Sequence, residues 1–401
     1  MHLRGILCTA AVLLAGGVRF FAADEPKLPP PHATPSANNG PRVIPEPKGA
    51  KLRVPTGFQM EVWSDADYKR PRFMMLGPGN EVLLADSAPR PNGVIYVFPR
   101  GNPNQRKRLI GGLYQPYGMV YKDGYLYVAE SDSVKRYPYD PAAMTAGAAE
   151  EIISMKGIDT HHWTRTLLLD RAGKKLYVTV GSGSNSSPGE DPRRAAINRY
   201  NLDGSGHEIV ASGLRNVIGL RWYPGTDTLW AAVQERDELG DNLVPDYLTH
   251  VQQGGFYGWP YAYIGPHIDP TNQEFVKGDI AKLVNRTIVP DELLGSHVAV
   301  LDFIFYTGKQ FPAEYQGGAL LAFHGSWNRS QRVGQSIAFV PFQDGKPAAP
   351  PREIVTGWMI SPASPDVWGR PVGLLQMTDG SVLISEDGNR RIWRLSYQGK
   401  G

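Results

Sequence analysis

One pattern of apolar and polar positions recurs six times along the chain. Each copy begins with a polar turn signal, continues as an apolar or β-branched run of strand length, and ends in a small or charged residue. The copies are GNEVLLAD (79–86), DGYLYVAES (123–131), GKKLYVTVGS (173–182), GTDTLWAAVQE (225–235), GGALLAFHGS (317–326) and DGSVLISED (379–387). The pattern predicts one short strand in each of six repeated units. Since one such unit cannot bury both of its faces, we predict an all-β fold, a six-bladed β-propeller closed around a central axis.

The ends of the six runs indicate where chemistry would lie. If the strands are equivalent, their last residues meet near one mouth of the central channel. Those residues include Glu130, Ser182, Glu235, His324 and Glu386. We therefore expect a functional site at that mouth.

The spacing of the runs predicts the organisation of a folded region from about 52 to 396. The first four copies are roughly 45 to 55 residues apart, the length of a four-stranded blade. The fifth copy comes much later, which predicts an insertion around 236–316. Its aromatic, glycine-rich segment at 254–267 is expected to form a wall of a ligand pocket. Helical periodicity is nearly absent, and only 142–150 predicts a short helix.

Two segments precede the folded region. Residues 1–23 combine a cationic start, an apolar stretch and small residues at the end, which predicts a secretory signal peptide, with a retained anchor as the alternative. Residues 24–51 are proline-rich, polar and aperiodic, which predicts an extended linker without a function of its own. We expect a periplasmic or secreted protein with no stable membrane insertion. Cys8, the single cysteine, lies in the predicted signal peptide, so disulfides are not expected.

Composition narrows the classes of function. The chain has 401 residues, 45 glycines, 34 prolines, 20% charged residues and a net charge of +3. It has no Lys/Arg run, which argues against a nucleic-acid surface. Nucleophile-elbow, zincin, Walker and dinucleotide-binding motifs are also absent from the sequence, so nicotinamide cofactors and nucleoside triphosphates have no evident seat.

A pair of adjacent histidines before a predicted strand is the strongest local signal, in GIDTHHWTRTLLLD (157–170). One ring of such a pair faces inward, and we assign that position to His162. A histidine that titrates near neutral pH is the usual proton acceptor for an alcohol or a hydrated aldehyde. The alternative is a turn histidine bonded to the backbone.

Two further turns carry candidate ligand-binding groups. Arg215 and Asn216 place a cation beside an amide, a pair suited to carbonyl oxygens that gain negative charge, although for these two residues in isolation a surface ion pair is the commoner use. The stretch ERDELGDNLVPDY (235–247) gathers carboxylates amid turn residues, as calcium requires. Its predicted ligands are Glu235, Asp237, Glu238 and Asp241, and a solvated acidic loop is the alternative.

The segment AFHGSWNRSQRVG (322–334) and one arginine complete the candidates. His324, Trp327, Asn328 and Arg329 follow the fifth run and would serve a flat, polyanionic ligand. Trp327 could instead pack between blades. Arg370 precedes the sixth run and is expected to reach the channel mouth.

In order along the chain, these phrases resemble the glucose/sorbosone dehydrogenase family, nearest its sorbosone dehydrogenase-like branch. The resemblance covers roughly 52–396 and rests on the following phrases: HHWTRTLLL, LYVTVGSGSN, RAAINRYNLDG, SGLRNVIGL, ERDELGDNLVPDYLTHV, GGFYGWPYAYIG, FYTGKQFP, FHGSWNRS, GRPVGLL and EDGNRRIWRL. It implies a six-bladed propeller that uses pyrroloquinoline quinone, often with Ca²⁺. By the same resemblance, His162 is the catalytic base, Arg215 and Asn216 contact the quinone oxygens, Arg370 lies near the cofactor carboxylates, and 235–241 lies where calcium binds.

The chain departs from the family pattern at several of these places. Ser182 stands where soluble glucose dehydrogenases carry an acid that supports the base, and Ile218 stands where they carry a glutamine. The stretch 235–238 replaces the family's His-Gly-Pro calcium phrase. The family's lysine near the cofactor carboxylates has no clear equivalent, and Arg329 is a candidate substitute.

The resemblance implies a quinone-dependent oxidoreductase. Its substrate would be an aldose, a sorbosone-like sugar or a related aldehyde, with hydride transfer to pyrroloquinoline quinone and a cytochrome or quinone as the later electron acceptor. Two alternatives remain open: a non-catalytic carbohydrate- or protein-binding propeller, and a calcium-dependent lactonase or esterase on the same architecture.

Overall fold

The described part of the protein is a six-bladed β-propeller, as predicted. A computed structural model describes residues 26–159 and 161–399, and the predicted signal peptide at 1–23 lies outside the described residues. Two strands, β1 (Arg42–Val43) and β2 (Phe58–Ser64), come before the first blade. Within the described ranges, six sheets of four or five strands form the blades, and three two-stranded ribbons lie outside them.

Blades 1 to 3 follow one another along the chain. Blade 1 contains β3 (Pro71–Leu76), β4 (Val82–Asp86), β5 (Gly93–Phe98) and β6 (Lys107–Leu113). Blade 2 contains β7 (Met119–Lys122), β8 (Tyr125–Glu130), β9 (Ser133–Asp140), β10 (Thr145–Ala146) and β11 (Glu150–Ser154). Blade 3 contains β12 (Leu167–Leu169), β13 (Lys175–Val180), β14 (Ala196–Asn201) and β15 (Glu208–Ser212).

Blade 4 is interrupted before its outermost strand. It begins with β16 (Asn216–Trp222), β17 (Leu229–Gln234) and β18 (Pro245–His250). An insertion at 251–291 then contributes β19 (Gly255–Phe256), β20 (Ala262–Tyr263), β21 (His267–Ile268) and the helix α1 (Gly278–Val284), and β22 (Glu292–Ser296) completes the blade. Strand β19 pairs in parallel with β15, so the insertion extends blade 3.

Blades 5 and 6 complete the ring. Blade 5 contains β23 (Val300–Phe305), β24 (Ala319–Phe323), β25 (Ser336–Val340) and, after the ribbon of β26 (Phe342–Gln343) and β27 (Lys346–Pro347), β28 (Arg352–Val355). The short β29 (Asp366–Val367) pairs with β1. Blade 6 contains β30 (Pro371–Gln376), β31 (Val382–Glu386), β32 (Arg391–Tyr397) and, as its outermost strand, β2. Single-turn 3₁₀ helices lie at Pro99–Gly101, Pro103–Gln105, Gln273–Phe275 and Ala313–Tyr315.

The six sequence runs are the second strands of the six blades. They correspond to β4, β8, β13, β17, β24 and β31, and in β4 and β24 every residue is buried. The first strand of each blade lies innermost, and β3, β7, β12, β16, β23 and β30 contact one another in a closed ring. Because each sheet packs against the next, both faces of a second strand are covered, which explains its continuous apolar run.

Two sequence predictions differ from the structure. The helix predicted at 142–150 is wrong, because those residues form a turn, β10 and the first residue of β11. Helix nucleation is unfavourable in a segment this short. The backbone N–H and C=O groups of β10 and β11 instead form hydrogen bonds with β9. The insertion predicted around 236–316 is confined to 251–291, because the flanking strands belong to blades 4 and 5.

Residues 26–51, the described part of the predicted linker, are extended and lie against the propeller. Ile44 packs on the hydrophobic core between blades 5 and 6, and β1 pairs with β29. Asn39 hydrogen-bonds the loop that follows β24, with its main-chain N–H 2.7 Å from the Trp327 oxygen. Within the described ranges, no helix has the length and apolar character needed to cross a bilayer.

Candidate active site

A cavity of about 530 Å³ lies where the innermost and second strands of the blades meet their loops. Its volume is in the range of small-molecule sites. Most of the predicted site residues line it, namely His162, Arg215, Asn216, Glu235, Asp237, Glu238, His324, Trp327 and Arg370. The structure thus brings together side chains that are far apart in the sequence and come from blades 3 to 6.

His162 projects from the loop before β12 with one fixed nitrogen. Its Nδ1 lies 2.9 Å from the Ser182 carbonyl oxygen and 3.0 Å from the Ser182 hydroxyl. A carbonyl oxygen can only accept, so Nδ1 carries the hydrogen and the lone pair of the neutral ring lies on Nε2. Nε2 makes no hydrogen bond to any described residue.

The surroundings of His162 keep its ring neutral. Burial and the positive charge of Arg215 lower the pKa of His162 well below its usual value. A neutral imidazole with a free Nε2 can accept a proton from a bound hydroxyl group. The role of His162 as the catalytic base stays a prediction.

Arg215 lies at the centre of a hydrogen-bond network beside this histidine. Its Nη1 donates to the Glu235 carbonyl oxygen at 2.6 Å, and its Nε donates to the Asn185 carbonyl oxygen at 3.1 Å. Its Nη2 lies 3.4 Å from the Asp237 carboxylate. Arg215 therefore holds the loops after β13 and β17 in place while it gives the cavity a fixed positive charge.

Asn216 begins β16 and is oriented by a chain of amides. Gln234 donates its Nε2 to the Val300 carbonyl oxygen at 3.1 Å, which leaves its Oε1 to accept from Asn216 Nδ2 at 2.9 Å. Asn216 Oδ1 is buried and abuts Gly181, where a Cβ atom would approach it to 2.3 Å. One hydrogen of Asn216 Nδ2 thus remains for a ligand in the cavity.

Two buried acids flank the loop between β17 and β18: Glu235 directly follows β17, and Asp246 is the second residue of β18. Asp246 accepts hydrogen bonds from the main-chain N–H groups of Glu235 and Ala299, at 2.9 and 2.7 Å. Glu235 Oε2 accepts from the Arg236 N–H, whereas Oε1 is buried without a partner among the described residues. Burial raises the pKa of Glu235 to about 8, so this carboxyl group is protonated at neutral pH.

A second charged group lies on the opposite side of the cavity. His324 Nε2 is 2.8 Å from Asp387, and the other oxygen of Asp387 is 2.5 Å from Arg72. Burial and the nearby Arg370 lower the pKa of His324 to about 4, so it is neutral. The guanidinium of Arg370 makes no ion pair with a described carboxylate, and its hydrogen bonds go to the carbonyl oxygens of His324 and Gly325, at 3.3 and 3.5 Å.

Two predicted cofactor residues do not face the cavity. Asn328 accepts a hydrogen bond from the Glu238 N–H at 2.7 Å and donates to the Ala37 carbonyl oxygen at 2.6 Å. Arg329 donates to the Asp241 carbonyl oxygen. Both side chains therefore join loops at the rim, and Arg329 does not take the place of a cofactor-binding lysine. Their neighbour Trp327 does line the cavity and is 41% exposed.

The acids predicted to bind calcium do not converge. Asp241 accepts from the Ser330 N–H at 2.8 Å, outside the cavity. Asp237 forms an ion pair with Arg215. It also hydrogen-bonds His297; burial lowers the pKa of His297, but this hydrogen bond raises it, and the net pKa is raised. Glu238 Oε2 lies 3.3 Å from the Asn185 amide.

Two main-chain oxygens of the same stretch also accept hydrogen bonds from arginine side chains. The Glu235 and Asp237 carbonyls accept hydrogen bonds from Arg215 and Arg236, at 2.6 and 2.9 Å. Among the residues that the structure describes, no three His, Cys, Asp or Glu side chains form a group suited to a metal ion. The predicted set of four acids therefore does not fit a calcium ion, and no chemical step is assigned to one.

The insertion supports the cavity without lining it. Trp259 donates its indole N–H to the Asn185 carbonyl oxygen at 2.9 Å. Arg236 forms a buried ion pair with Asp269 at 2.8 Å. The insertion thus fixes Asn185 and Arg236 from behind, and its segment 254–267, which was predicted to wall the pocket, does not line it.

Several residues of the site were missed by sequence reasoning. They are Arg72, Trp163, Asn185, Gln234 and His297. Arg72 could have been found, because it lies near the start of the innermost strand of blade 1, as Arg370 does just before that of blade 6. Its guanidinium lies 5.0 Å from the centroid of the Trp163 ring, which places an aromatic and a cationic group beside His162.

Comparison with known proteins gives matches over the whole propeller. A family model described as TrAA12-like matches residues 52–398. An uncharacterized protein of Borreliella burgdorferi is 26% identical over an alignment of 370 positions that covers 86% of this chain and 91% of that protein. The pyrroloquinoline quinone-dependent pyranose dehydrogenase of Coprinopsis cinerea is 25% identical over an alignment of 334 positions that covers 67% of this chain. The chain spans 44% of the length of that dehydrogenase.

A solved structure shows the same fold. The holo form of the pyranose dehydrogenase PQQ domain from Coprinopsis cinerea superposes with a TM-score of 0.71 and 20% sequence identity. The superposition covers 88% of this chain and 98% of that domain. The placement of the chain nearest a sorbosone dehydrogenase-like branch stays a prediction.

Proposed function

The chain belongs to the TrAA12-like family, and from this premise we propose that it is a quinone-dependent sugar oxidoreductase. Its substrate is an aldose, a sorbosone-like sugar or a related carbonyl sugar, and its cofactor is pyrroloquinoline quinone. The observation that carries the proposal is the position of His162, which presents a free Nε2 to a cavity that also contains Arg72, Arg215 and Arg370.

The residues of the cavity fit a planar, polyanionic cofactor. The guanidinium of Arg370 lines the cavity and makes no ion pair with a described carboxylate, so its charge is available to a carboxylate of the ligand. The second hydrogen of Asn216 Nδ2 and the charge of Arg215 are suited to a ring oxygen. Trp163 and Trp327 add aromatic surfaces. When bound, pyrroloquinoline quinone supplies a two-electron acceptor for the hydride of the substrate.

The protein's own part in the reaction is proton abstraction and orientation. His162 Nε2 takes the proton from the anomeric or geminal-diol hydroxyl of the sugar. Arg215 and Asn216 favour negative charge on an oxygen held between them. Because Arg215 also disfavours the protonated imidazole, His162 stays available as a base in mildly acidic solution.

The electron acceptor and the compartment complete the proposal. A cytochrome or a quinone removes the electrons in a later step, and the protein works in the periplasm or outside the cell. The apolar stretch of the predicted signal peptide supports this location.

The proposal is tested by titrating the purified chain with pyrroloquinoline quinone and then adding a panel of aldoses. We expect saturable binding and a reduced-quinone absorbance spectrum after addition of a sugar. His162→Gln should lower turnover by about 10²–10⁴-fold and leave cofactor binding within a few-fold of the wild type. The control His207→Gln changes a histidine outside the cavity that is stacked on Tyr200, and it should leave turnover and cofactor binding unchanged.

A non-catalytic carbohydrate- or protein-binding propeller is the alternative that the same titration tests. It predicts no quinone binding at micromolar cofactor and no effect of His162→Gln on sugar binding. Undiminished turnover in His162→Gln would remove this histidine from the mechanism even if the quinone binds.

A further inference from the structure

The turn after β13 fixes the ring of His162 from its Nδ1 side. Both the carbonyl oxygen and the hydroxyl of Ser182 are within 3.0 Å of Nδ1. The hydroxyl hydrogen of Ser182 is directed to the Ser184 carbonyl oxygen, 2.6 Å away. The Ser182 oxygens therefore both act as acceptors toward Nδ1–H, and the tautomer with a free Nε2 is the one that satisfies the contacts.

Ser182 is itself rigidly held. Its side chain is fully buried, and its N–H donates to the Arg215 carbonyl oxygen at 2.8 Å. Glu190 accepts hydrogen bonds from the Gly183 N–H and the Ser184 hydroxyl, each at 2.6 Å. Because this turn is anchored on both sides, the acceptors of Ser182 cannot move away from the ring without breaking these bonds.

The groups around His162 provide no direct negative charge. The His161 ring lies 4.3 Å from that of His162 between centroids, and Arg165 donates to the His162 carbonyl oxygen at 2.7 Å. Arg215 lies on the cavity side. The nearest acid on the turn, Glu190, is engaged with Gly183 and Ser184 and does not contact the imidazole.

We propose that Ser182 is the positioning residue of this site, which orients His162 through two uncharged acceptors and so maintains a base that is neutral at rest. The proposal rests on the function proposed above for His162. It explains how the ring is oriented where no carboxylate contacts it. It also predicts that the charge of the side chain at position 182, and not the size of that side chain, decides how readily His162 is protonated.

The test compares Ser182→Asp with Ser182→Asn, two variants of nearly the same shape that differ in charge. A carboxylate next to Nδ1 favours the imidazolium, and an opposite charge at this distance shifts a pKa by about 1–3 units. We expect Ser182→Asp to raise the pKa of His162 by about one unit or more above the wild-type value, and Ser182→Asn to change it by less than half of that. Both values are measured by ¹⁵N NMR of the histidine ring in the full chain without cofactor.

The wild-type protein gives a second, independent readout. Its His162 should show hydrogen on Nδ1 and not on Nε2 at neutral pH, whether or not either variant folds. A hydrogen on Nε2, or equal His162 pKa values in Ser182→Asp and Ser182→Asn, would overturn the proposal.

Turnover of the quinone-loaded protein separates the two proposals. The acid limb of its pH–rate profile should move to higher pH in Ser182→Asp and stay in place in Ser182→Asn. If the NMR results are as expected and the loaded wild type does not oxidise sugars, the proposed function fails while the positioning by Ser182 stands. If the wild type turns over but His162 carries its hydrogen on Nε2, the positioning fails alone.

Discussion

Buried carboxylates in this protein mostly serve the main chain. Asp86, Glu130 and Glu386 end the second strands of blades 1, 2 and 6, and each accepts a hydrogen bond from an N–H group shortly before the innermost strand of its own blade. Glu235 directly follows the second strand of blade 4 and departs from this use. Its Oε1 has no described partner, so the group faces desolvation without a compensating hydrogen bond at that oxygen.

Replacing Glu235 by glutamine should stabilise the protein in alkaline solution. The folded-state pKa of Glu235, about 8, exceeds its ordinary value of 4.5, so ionisation is harder in the folded protein than in the unfolded chain. The free energy of unfolding of the wild type therefore falls as pH rises from about 4.5 to about 8, whereas Glu235→Gln lacks the ionisable group that causes this fall. We expect the difference in the free energy of unfolding to grow by roughly 2–4 kcal/mol over that interval.

Chemical denaturation at pH 5 and pH 8.5 measures this difference. Glu274→Gln removes an exposed acid of the insertion and should follow the pH dependence of the wild type. If Glu235→Gln also follows the wild type across this range, the carboxyl group is not held protonated in the fold.

At the scale of elements, one strand end determines how closely two site residues approach. Gly181 follows β13, and a Cβ atom there would lie 2.3 Å from Asn216 Oδ1 and 2.6 Å from His162 Cβ. Only glycine lets the end of β13, the start of β16 and the loop before β12 meet so closely. The separation of the base from the amide is thus set by the backbone of blade 3.

Gly181→Ala should therefore damage the site more than the fold. We expect a loss of turnover of about tenfold or more, with weakened quinone binding, because the methyl group pushes His162 and Asn216 apart. Gly40→Ala is the matched control, since a Cβ atom at Gly40 meets nothing within 4 Å. Unchanged kinetics in Gly181→Ala would show that the contact between these elements does not position the base.

The same elements show how far the sequence determined the fold and the site. Second strands were predictable because their two faces are both covered, so their apolar runs are continuous, as in VLLAD of β4. The weaker innermost strands, such as β12 with three residues, left no comparable pattern. The sequence predicts cofactor contacts for Asn328 and Arg329 and a calcium contact for Asp241, whereas these residues form hydrogen bonds between the loops after β17 and β24. A sequence shows which polar groups a turn contains, but it does not show which partners those groups hydrogen-bond.

At the scale of the whole molecule, a strand that precedes blade 1 in the sequence completes blade 6 and so closes the ring. Strand β2 pairs with β32 from Phe58↔Tyr397 to Ser64↔Ile392, so the first strand after the N-terminal segment completes the last blade. The N-terminal segment, residues 26–51, lies outside this closure. It crosses the rim of the cavity and contacts the loops after β17 and β24.

These contacts join the two loops that carry Glu238 and Trp327 into the cavity. The Thr34 hydroxyl accepts from the Asp241 N–H at 2.7 Å, and the His32 N–H donates to the Leu239 carbonyl oxygen at 2.8 Å. On the other loop, Arg332 donates to the Asn39 carbonyl oxygen at 2.7 Å. The segment predicted to be an idle linker thus holds both sides of the rim.

A chain that begins at Leu52 should keep the propeller and lose order at the rim. Because β2 and the β2–β32 pairing remain and only the short β1–β29 pair is lost, circular dichroism should show nearly the same strand content, while the melting temperature falls by several degrees. Quinone affinity should drop by about tenfold relative to the chain that begins at residue 26, because the loops after β17 and β24 would then become ordered only on binding, which reduces the binding free energy. Arg42→Ala in the longer chain, which removes only an exposed ion pair with Asp366, should alter neither quantity. Equal affinity of the two chains would mean that the blades alone shape the cavity, and that the N-terminal segment contributes only to the stability of blades 5 and 6.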